Sequence, residues 1–202
     1  MNVGVLASGA GSNLQALIDQ AHGRDGVKLV AVASDQPEAR ALARAGKAGI
    51  AAEPFARAGF ADRAARDAAM AAWLREHGVQ LVVLAGYMQL LSPEFLATFP
   101  EAVINVHPAL LPAFPGLRAV QQAIDYGVKV FGVTVHFVDG GVDTGPVILQ
   151  RAVELPNAHD PGYVLERLHP VEHELLVEAV GLLARGAVGF DPGNRRRVVI
   201  AR

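Results

Sequence analysis

The chain has 202 residues, 51% of them hydrophobic and 19% charged, which suits one ordinary globular domain and excludes a disordered chain. Eighteen Lys and Arg against twenty Asp and Glu leave a formal charge of −2, no surplus for holding a nucleic acid by counterion release. The absence of cysteine removes disulfides, thiolate nucleophiles and Cys-ligated metal centres.

No apolar run approaches the ~18 residues of a membrane span, and Met1-Asn2-Val3-Gly4-Val5 lacks the basic start of a signal peptide. A cytoplasmic protein is expected, with no nucleic-acid and no membrane partner. In chain order, Val3–Ala7, Leu29–Ala33, Val79–Leu84 and Ala102–Ile104 read as short buried strands. Asn13–His22, Glu38–Lys47 and Phe60–His77 between them have helical length and propensity. In the last of these, Phe60, Ala64, Met70, Trp73 and Leu74 share one broad face, leaving Asp62, Arg66, Arg75 and Glu76 elsewhere. This alternation predicts an α/β fold with an open, mostly parallel twisted sheet and helices on both faces. Val106–Gly116 holds three prolines and predicts a rigid irregular loop. A helix over Arg118–Tyr126 follows, then strands Val130–Val138 and Val147–Val153, of which one is antiparallel in the C-terminal half. The long helix Tyr163–Ala184 and a hairpin over Val188–Ile200 close the chain. The run Arg195-Arg196-Arg197 reads as a solvated hairpin arm, because no second basic cluster accompanies it.

Four motifs carry chemistry or its imitation. Ser8-Gly9-Ala10-Gly11-Ser12-Asn13 follows the first strand and opens the first helix, where free N–H groups and the helix dipole favour an anion. Asp35, closing the second strand, fits the ribose-binding acid of a dinucleotide fold, yet the third glycine of that fingerprint falls on Leu14. Ser34 or Asp35 also fits as a helix cap, and Ser12 and Asn13 add donors suited to a terminal monophosphate, so the loop is read as a monophosphate cradle ahead of a dinucleotide site or a purely structural turn. In Asn105-Val106-His107-Pro108, Asn105 and His107 lie two apart on an extended chain and project together, an amide donor beside an imidazole. Asp143-Thr144-Gly145 occurs once, in an alternating α/β frame, which argues against an aspartic protease. His169-Pro170-Val171-Glu172-His173 imitates a zinc-peptidase pattern, but Pro170 is expected to open a helix there and to displace His169. His136 is left open between an ordinary sheet histidine and a pocket wall.

Taken in order, Ser8-Gly9-Ala10-Gly11-Ser12-Asn13, Leu84–Met88, Asn105–Pro112, Phe114–Gly116, Gly132–Val138 and Asp143–Pro146 resemble the phosphoribosylglycinamide (glycinamide ribonucleotide) formyltransferase family, from Asn2 to about His173. The resemblance implies a Rossmann-like formyltransferase fold in a single domain over 1–202, with a nucleotide-binding half (1–104) and a folate-binding and catalytic half (105–202). It implies formyl transfer from 10-formyltetrahydrofolate, as co-substrate, to the amine of glycinamide ribonucleotide in purine biosynthesis. No metal is implied, and the expected partners are these two small molecules, with the protein a monomer or homodimer.

By the same resemblance Asn105, His107 and Asp143 are the catalytic trio. Gly11, Ser12 and Asn13 hold the ribonucleotide phosphate, and Glu172 contacts that substrate. Arg63, Met88, Gln89, Leu90, Leu91, Asn105, Val138, Asp139, Gly140, Gly141, Val142 and Asp143 meet the folate. Departures from the family pattern are Gln89 where some members carry Arg, Arg118 where His is common, and Glu174-Leu175-Leu176-Val177 in place of Arg-Leu-Tyr-Pro. The chemistry of the trio agrees with the implied reaction: an amide and a protonated imidazole suit a developing oxyanion, and a carboxylate orients the ring. Methionyl-tRNA formyltransferase needs a further C-terminal domain and more positive charge. Formyltetrahydrofolate hydrolase needs an N-terminal regulatory domain. Outside the superfamily the rivals are a nicotinamide-nucleotide oxidoreductase and a non-catalytic nucleotide-binding module.

Overall fold

The computed structural model describes residues 1–201 and divides into two units, Met1–Asn105 and Val106–Arg202. In the first unit the short apolar runs become β1 (Asn2–Leu6), β2 (Lys28–Ser34), β3 (Ala51–Pro54), β4 (Leu81–Leu84) and the start of β5 (Val103–His107). They hydrogen-bond in the order β3-β2-β1-β4-β5, and every pairing is parallel. Strands covered on both faces have no polar side to show, which is why Val3, Val5, Leu6, Val32, Val82, Val83 and Ile104 are all buried. The crossovers are α1 (Ser12–Gln20), α2 (Arg40–Lys47), α3 (Arg63–Glu76) and α4 (Pro93–Thr98).

Several local expectations change. β3 escaped prediction because Ala51-Ala52-Glu53-Pro54 has no β-branched residue; it lies at the edge of the order, where a terminal proline is tolerated. α4 is only six residues long, capped by Ser92 with Pro93 in its first turn. α2 starts at Arg40, so neither Ser34 nor Asp35 caps it; the Ser34 hydroxyl instead accepts from the Gln36 N–H at 3.1 Å, closing a turn. On α3 Arg66 belongs to the buried face after all, because its guanidinium pairs with Asp67 at 2.8 Å. A charge is carried inside only when a partner accompanies it.

The second unit continues through α5 (Ala119–Tyr126), β6 (Val130–Phe137), β7 (Val147–Glu154), α6 (Pro161–Ala184), β8 (Val188–Asp191) and β9 (Asn194–Ile200). β6 and β7 are antiparallel, with a register shift between Val135 and His136, and β8 and β9 form the expected hairpin. The fold class is therefore α/β with a mostly parallel set of strands and antiparallel pairing in the C-terminal half. Pro170 is a correction: it neither opens nor interrupts α6 but sits inside it. His169 and His173 consequently stand one turn apart with rings nearly parallel, 6.5 Å between centroids. Among the described residues no cluster of three or more His, Asp or Glu is arranged to hold a metal. The hairpin arginines are exposed, as expected of a solvated arm, and each also makes a contact within the protein: Arg195 lies over the Phe190 ring, Arg196 donates to the Thr144 carbonyl at 2.8 Å, and Arg197 pairs with Asp191 at 3.3 Å. No helix among the described residues is long and apolar enough to cross a membrane.

Candidate active site

In the first unit the turn from β1 into α1 is built from backbone. Gly11 precedes the helix at φ 70°, and a Cβ there would lie 2.9 Å from Cα and Cβ of Ala41 on α2. Glycine is required on both counts. No side chain caps α1 and no acidic residue occupies its first turn, so the helix itself supplies no competitor to an anion at its leading N–H groups. Gly11 and Asn13 are buried and Ser12 is half-buried.

Ser8 joins this turn to the segment after β4. Its N–H donates to the Gly86 carbonyl at 3.0 Å, and its hydroxyl accepts from the Met88 N–H at 2.9 Å. Beyond that clamp the chain runs outward: Met88 is 62% and Leu90 56% exposed, Gln89 is exposed and Leu91 is half-buried. The far end is clamped too, because Asp67, fully buried and paired with Arg66, accepts the Ser92 N–H at 2.8 Å. Two apolar side chains thus stand out from a segment fixed at both ends. Arg63 opens α3 and is exposed.

The second unit assembles the ionisable groups. Along the single strand β5, Asn105, the last residue of the first unit, and His107 point to one face, two residues apart as the sequence spacing predicts, and His107 is buried at the strand end. The proline-rich loop beyond is tied down: the Thr134 hydroxyl on β6 donates to the Ala109 carbonyl and accepts the Leu111 N–H, and Gln150 on β7 donates to the Leu111 carbonyl. Asp143 lies in the turn between β6 and β7, where Gly145 passes so close to the Phe137 carbonyl that a Cβ would sit 1.8 Å from its oxygen.

That turn brings Asp143 Oδ2 to 3.3 Å from His107 Nδ1 and lets it accept the Gly116 N–H at 2.7 Å. The remaining carboxylate oxygen, Oδ1, lies 3.5 Å from Nε2 of His136. His136 is therefore neither a plain sheet histidine nor a mere wall, but a second imidazole on the same carboxylate. Each ring also faces a carbonyl through its other nitrogen: His107 Nε2 meets Phe114 O at 2.8 Å, and His136 Nδ1 meets Phe137 O at 2.7 Å. A carbonyl only accepts, so both of those nitrogens carry protons. Burial pushes the Asp143 carboxyl up, but the hydrogen bonds from His136 and the Gly116 N–H, with the charges of both imidazoles, outweigh it and hold the group at about 2. Asp143 is an anion throughout the physiological range.

Val138 and Asp139 are half-buried and Gly140, Gly141 and Val142 exposed, on the loop leading into Asp143. Asp139 organises that loop by accepting from the Gly141 N–H at 3.0 Å and the Thr144 hydroxyl at 2.5 Å. Glu172 is buried on α6 beside His173, whose Nε2 has no hydrogen-bond partner. Burial, reinforced by the neighbouring His169, lowers the His173 pKa. What the sequence reading missed is the role of His136, for which the only signal was its placement on the face opposite Val135 and Phe137.

Comparison with known proteins places this arrangement. Residues 1–180 match the formyl transferase family. The chain is 45% identical over 187 residues to the phosphoribosylglycinamide formyltransferase of Mycobacterium tuberculosis, covering 91% of this chain and 85% of that one. It is 40% identical over 188 residues to that of Bacillus subtilis, covering 90% and 96%. Among solved structures, glycinamide ribonucleotide transformylase 1 from Symbiobacterium toebii superposes with a TM-score of 0.95 at 44% identity, covering 100% of this chain and 94% of that one. The chain belongs to the formyl transferase family, among the phosphoribosylglycinamide formyltransferases.

Proposed function

We propose that the chain transfers the formyl group of 10-formyltetrahydrofolate to the amine of glycinamide ribonucleotide, releasing formylglycinamide ribonucleotide and tetrahydrofolate in cytoplasmic purine biosynthesis. The observation that carries the reading is the His107–Asp143 pair, 3.3 Å apart, at the end of the strand that also bears Asn105. The folate supplies an activated formyl group, whose carbon the ribonucleotide amine attacks.

Asn105 donates its side-chain amide to the formyl oxygen as negative charge builds there, and His107 donates beside it. With Nδ1 held by Asp143, Nε2 is the proton-bearing atom that meets the substrate, in place of the Phe114 carbonyl. The same imidazole moves the proton lost by the amine toward the departing folate nitrogen. Asp143 stays ionised, fixes the ring and balances its charge, and His136 steadies the carboxylate from the other side. In the first unit Gly11, Ser12 and Asn13 hold the phosphate, and Arg63 and residues 88–91 meet the folate. The exposed apolar Met88 and Leu90 suit a flat heteroaromatic ring. In the second unit Val138–Asp143 meet the folate and Glu172 the ribonucleotide.

The test is to incubate the protein with 10-formyltetrahydrofolate, with and without glycinamide ribonucleotide, and to follow loss of the formyl group. Deformylation that depends on the ribonucleotide is expected. Equal deformylation without it makes the chain a hydrolase, and binding of a nicotinamide nucleotide with no folate turnover makes it an oxidoreductase.

A further inference from the structure

The phosphate turn does not hold its own shape; α2 holds it. Two successive carbonyls of the turn are gripped from that helix. The Gly9 carbonyl accepts the Ala41 N–H at 3.2 Å, and the Ala10 carbonyl accepts Nε of Arg44 at 2.9 Å. The same guanidinium reaches α1, where its Nη1 donates to the Gln15 side-chain oxygen at 2.7 Å. Both peptide bonds of the turn are trans, the cis bond among the described residues being Leu111–Pro112. In a trans peptide the C=O of one residue and the N–H of the next point in opposite directions. Gripping the Gly9 and Ala10 carbonyls from α2 therefore turns the N–H groups of Ala10 and Gly11 away from α2, one after the other. Among the described hydrogen bonds the amides of Ala10, Gly11 and Ser12 donate to no other group of the protein. Successive amides turned one way form a concave anion site.

We infer that Arg44 is a positioning residue for phosphate recognition: by holding the Ala10 carbonyl and Gln15 it orients the Gly11 amide toward the ribonucleotide phosphate without touching that phosphate. The inference rests on the assignment of the turn to the phosphate. Arg44 is half-buried in a groove of about 430 Å³ between α1 and α2, which Arg40 and Lys47 also line. Those two cations share its charge and donate no hydrogen bond to the turn, so charge and orientation can be separated.

Steady-state kinetics of Arg44→Ala, Arg44→Lys, Arg40→Ala, Lys47→Ala and Gly11→Ala, with inorganic phosphate as a competitor, test this. Arg44→Ala is expected to raise KM for glycinamide ribonucleotide about ten-fold and to weaken phosphate inhibition in parallel, the scale of one hydrogen bond from a charged donor. Its kcat and its KM for the folate should stay within about two-fold. Arg44→Lys should not restore the wild-type value, because a single ammonium cannot reproduce the fork that spans Ala10 and Gln15. Arg40→Ala and Lys47→Ala should stay near wild type. Rescue by lysine, or equal losses at Arg40 and Lys47, would make the effect one of charge alone and overturn the inference. A fall in kcat with both KM values unchanged would overturn it as well, by making Arg44 a stabilising residue only. Gly11→Ala separates the premise: if it raises ribonucleotide KM while Arg44→Ala does not, the inference fails alone. If neither variant affects ribonucleotide KM or phosphate inhibition, the phosphate assignment fails with it.

Discussion

The turn after β1, which the proposed function assigns to phosphate, and the imidazole–carboxylate cluster solve opposite problems. The turn of the first unit is made of backbone: amides, one glycine at φ 70° and a helix end, all within Ser8–Asn13 and braced by α2. The cluster of the second unit is made of side chains, and its members come from the end of β5, the end of β6 and the turn after it. A backbone site tolerates side-chain change and is sensitive to shape. A side-chain site is the reverse, because each atom that acts on the substrate belongs to one residue.

Substitutions can break or sharpen this contrast. The largest effect is expected at Asn105, where alanine removes a donor to the charge that builds in the transition state; kcat should fall on the order of 10²–10³-fold with little change in either KM. A loss confined to KM would move Asn105 out of the catalytic group.

Asp143→Asn comes next, with a fall in kcat of about 10²-fold, the lower end for a disturbed acid–base group. It has a separate signature in stability. The carboxyl ionises at about 2 in the fold against the usual 3.8, so the unfolded chain holds the proton more tightly. The contribution of the anion is complete above the unfolded value and is lost as pH falls from 3.8 toward 2. The Tm advantage of wild type over Asp143→Asn should therefore narrow across that window. A constant difference through it would mean that Asp143 is not paired in the folded state.

Asn13→Ala probes the backbone site through a side chain. It should raise KM for the ribonucleotide by about three- to ten-fold, one neutral hydrogen bond, and leave folate KM unaltered. A comparable change in folate KM would reverse the assignment of the two ligands. The smallest effect is expected for Gln89→Arg. Residue 89 is exposed between two fixed points, and an exposed ion pair with the folate tail is worth roughly 0–1 kcal/mol, so folate KM should change less than about five-fold. A change of two orders of magnitude would show that the side chain itself recognises the ligand.

Wherever structure depends on local pattern, the sequence alone was enough. Alternating β-branched runs and Ala/Arg-rich stretches determined the α/β class, because strand and helix periods are written into neighbouring residues. The glycines and Ser12-Asn13 after β1 announced a turn opening a helix, and the two-residue spacing of Asn105 and His107 put them on one face. Tertiary structure decided the rest. β3 is held by its neighbour β2 rather than by propensity, and Pro170 is carried inside α6 by a helix long enough to absorb one missing hydrogen bond. Arg66 is buried because Asp67 and Ser92 complete its surroundings. His136 meets Asp143 only because Gly145 lets the chain turn against the Phe137 carbonyl, and Arg44 reaches the Ala10 carbonyl only because α2 packs against the turn. Apart from the pair of neighbours Arg66 and Asp67, those contacts join residues several to dozens of positions apart, and no residue spacing encodes the closeness that the folded core imposes.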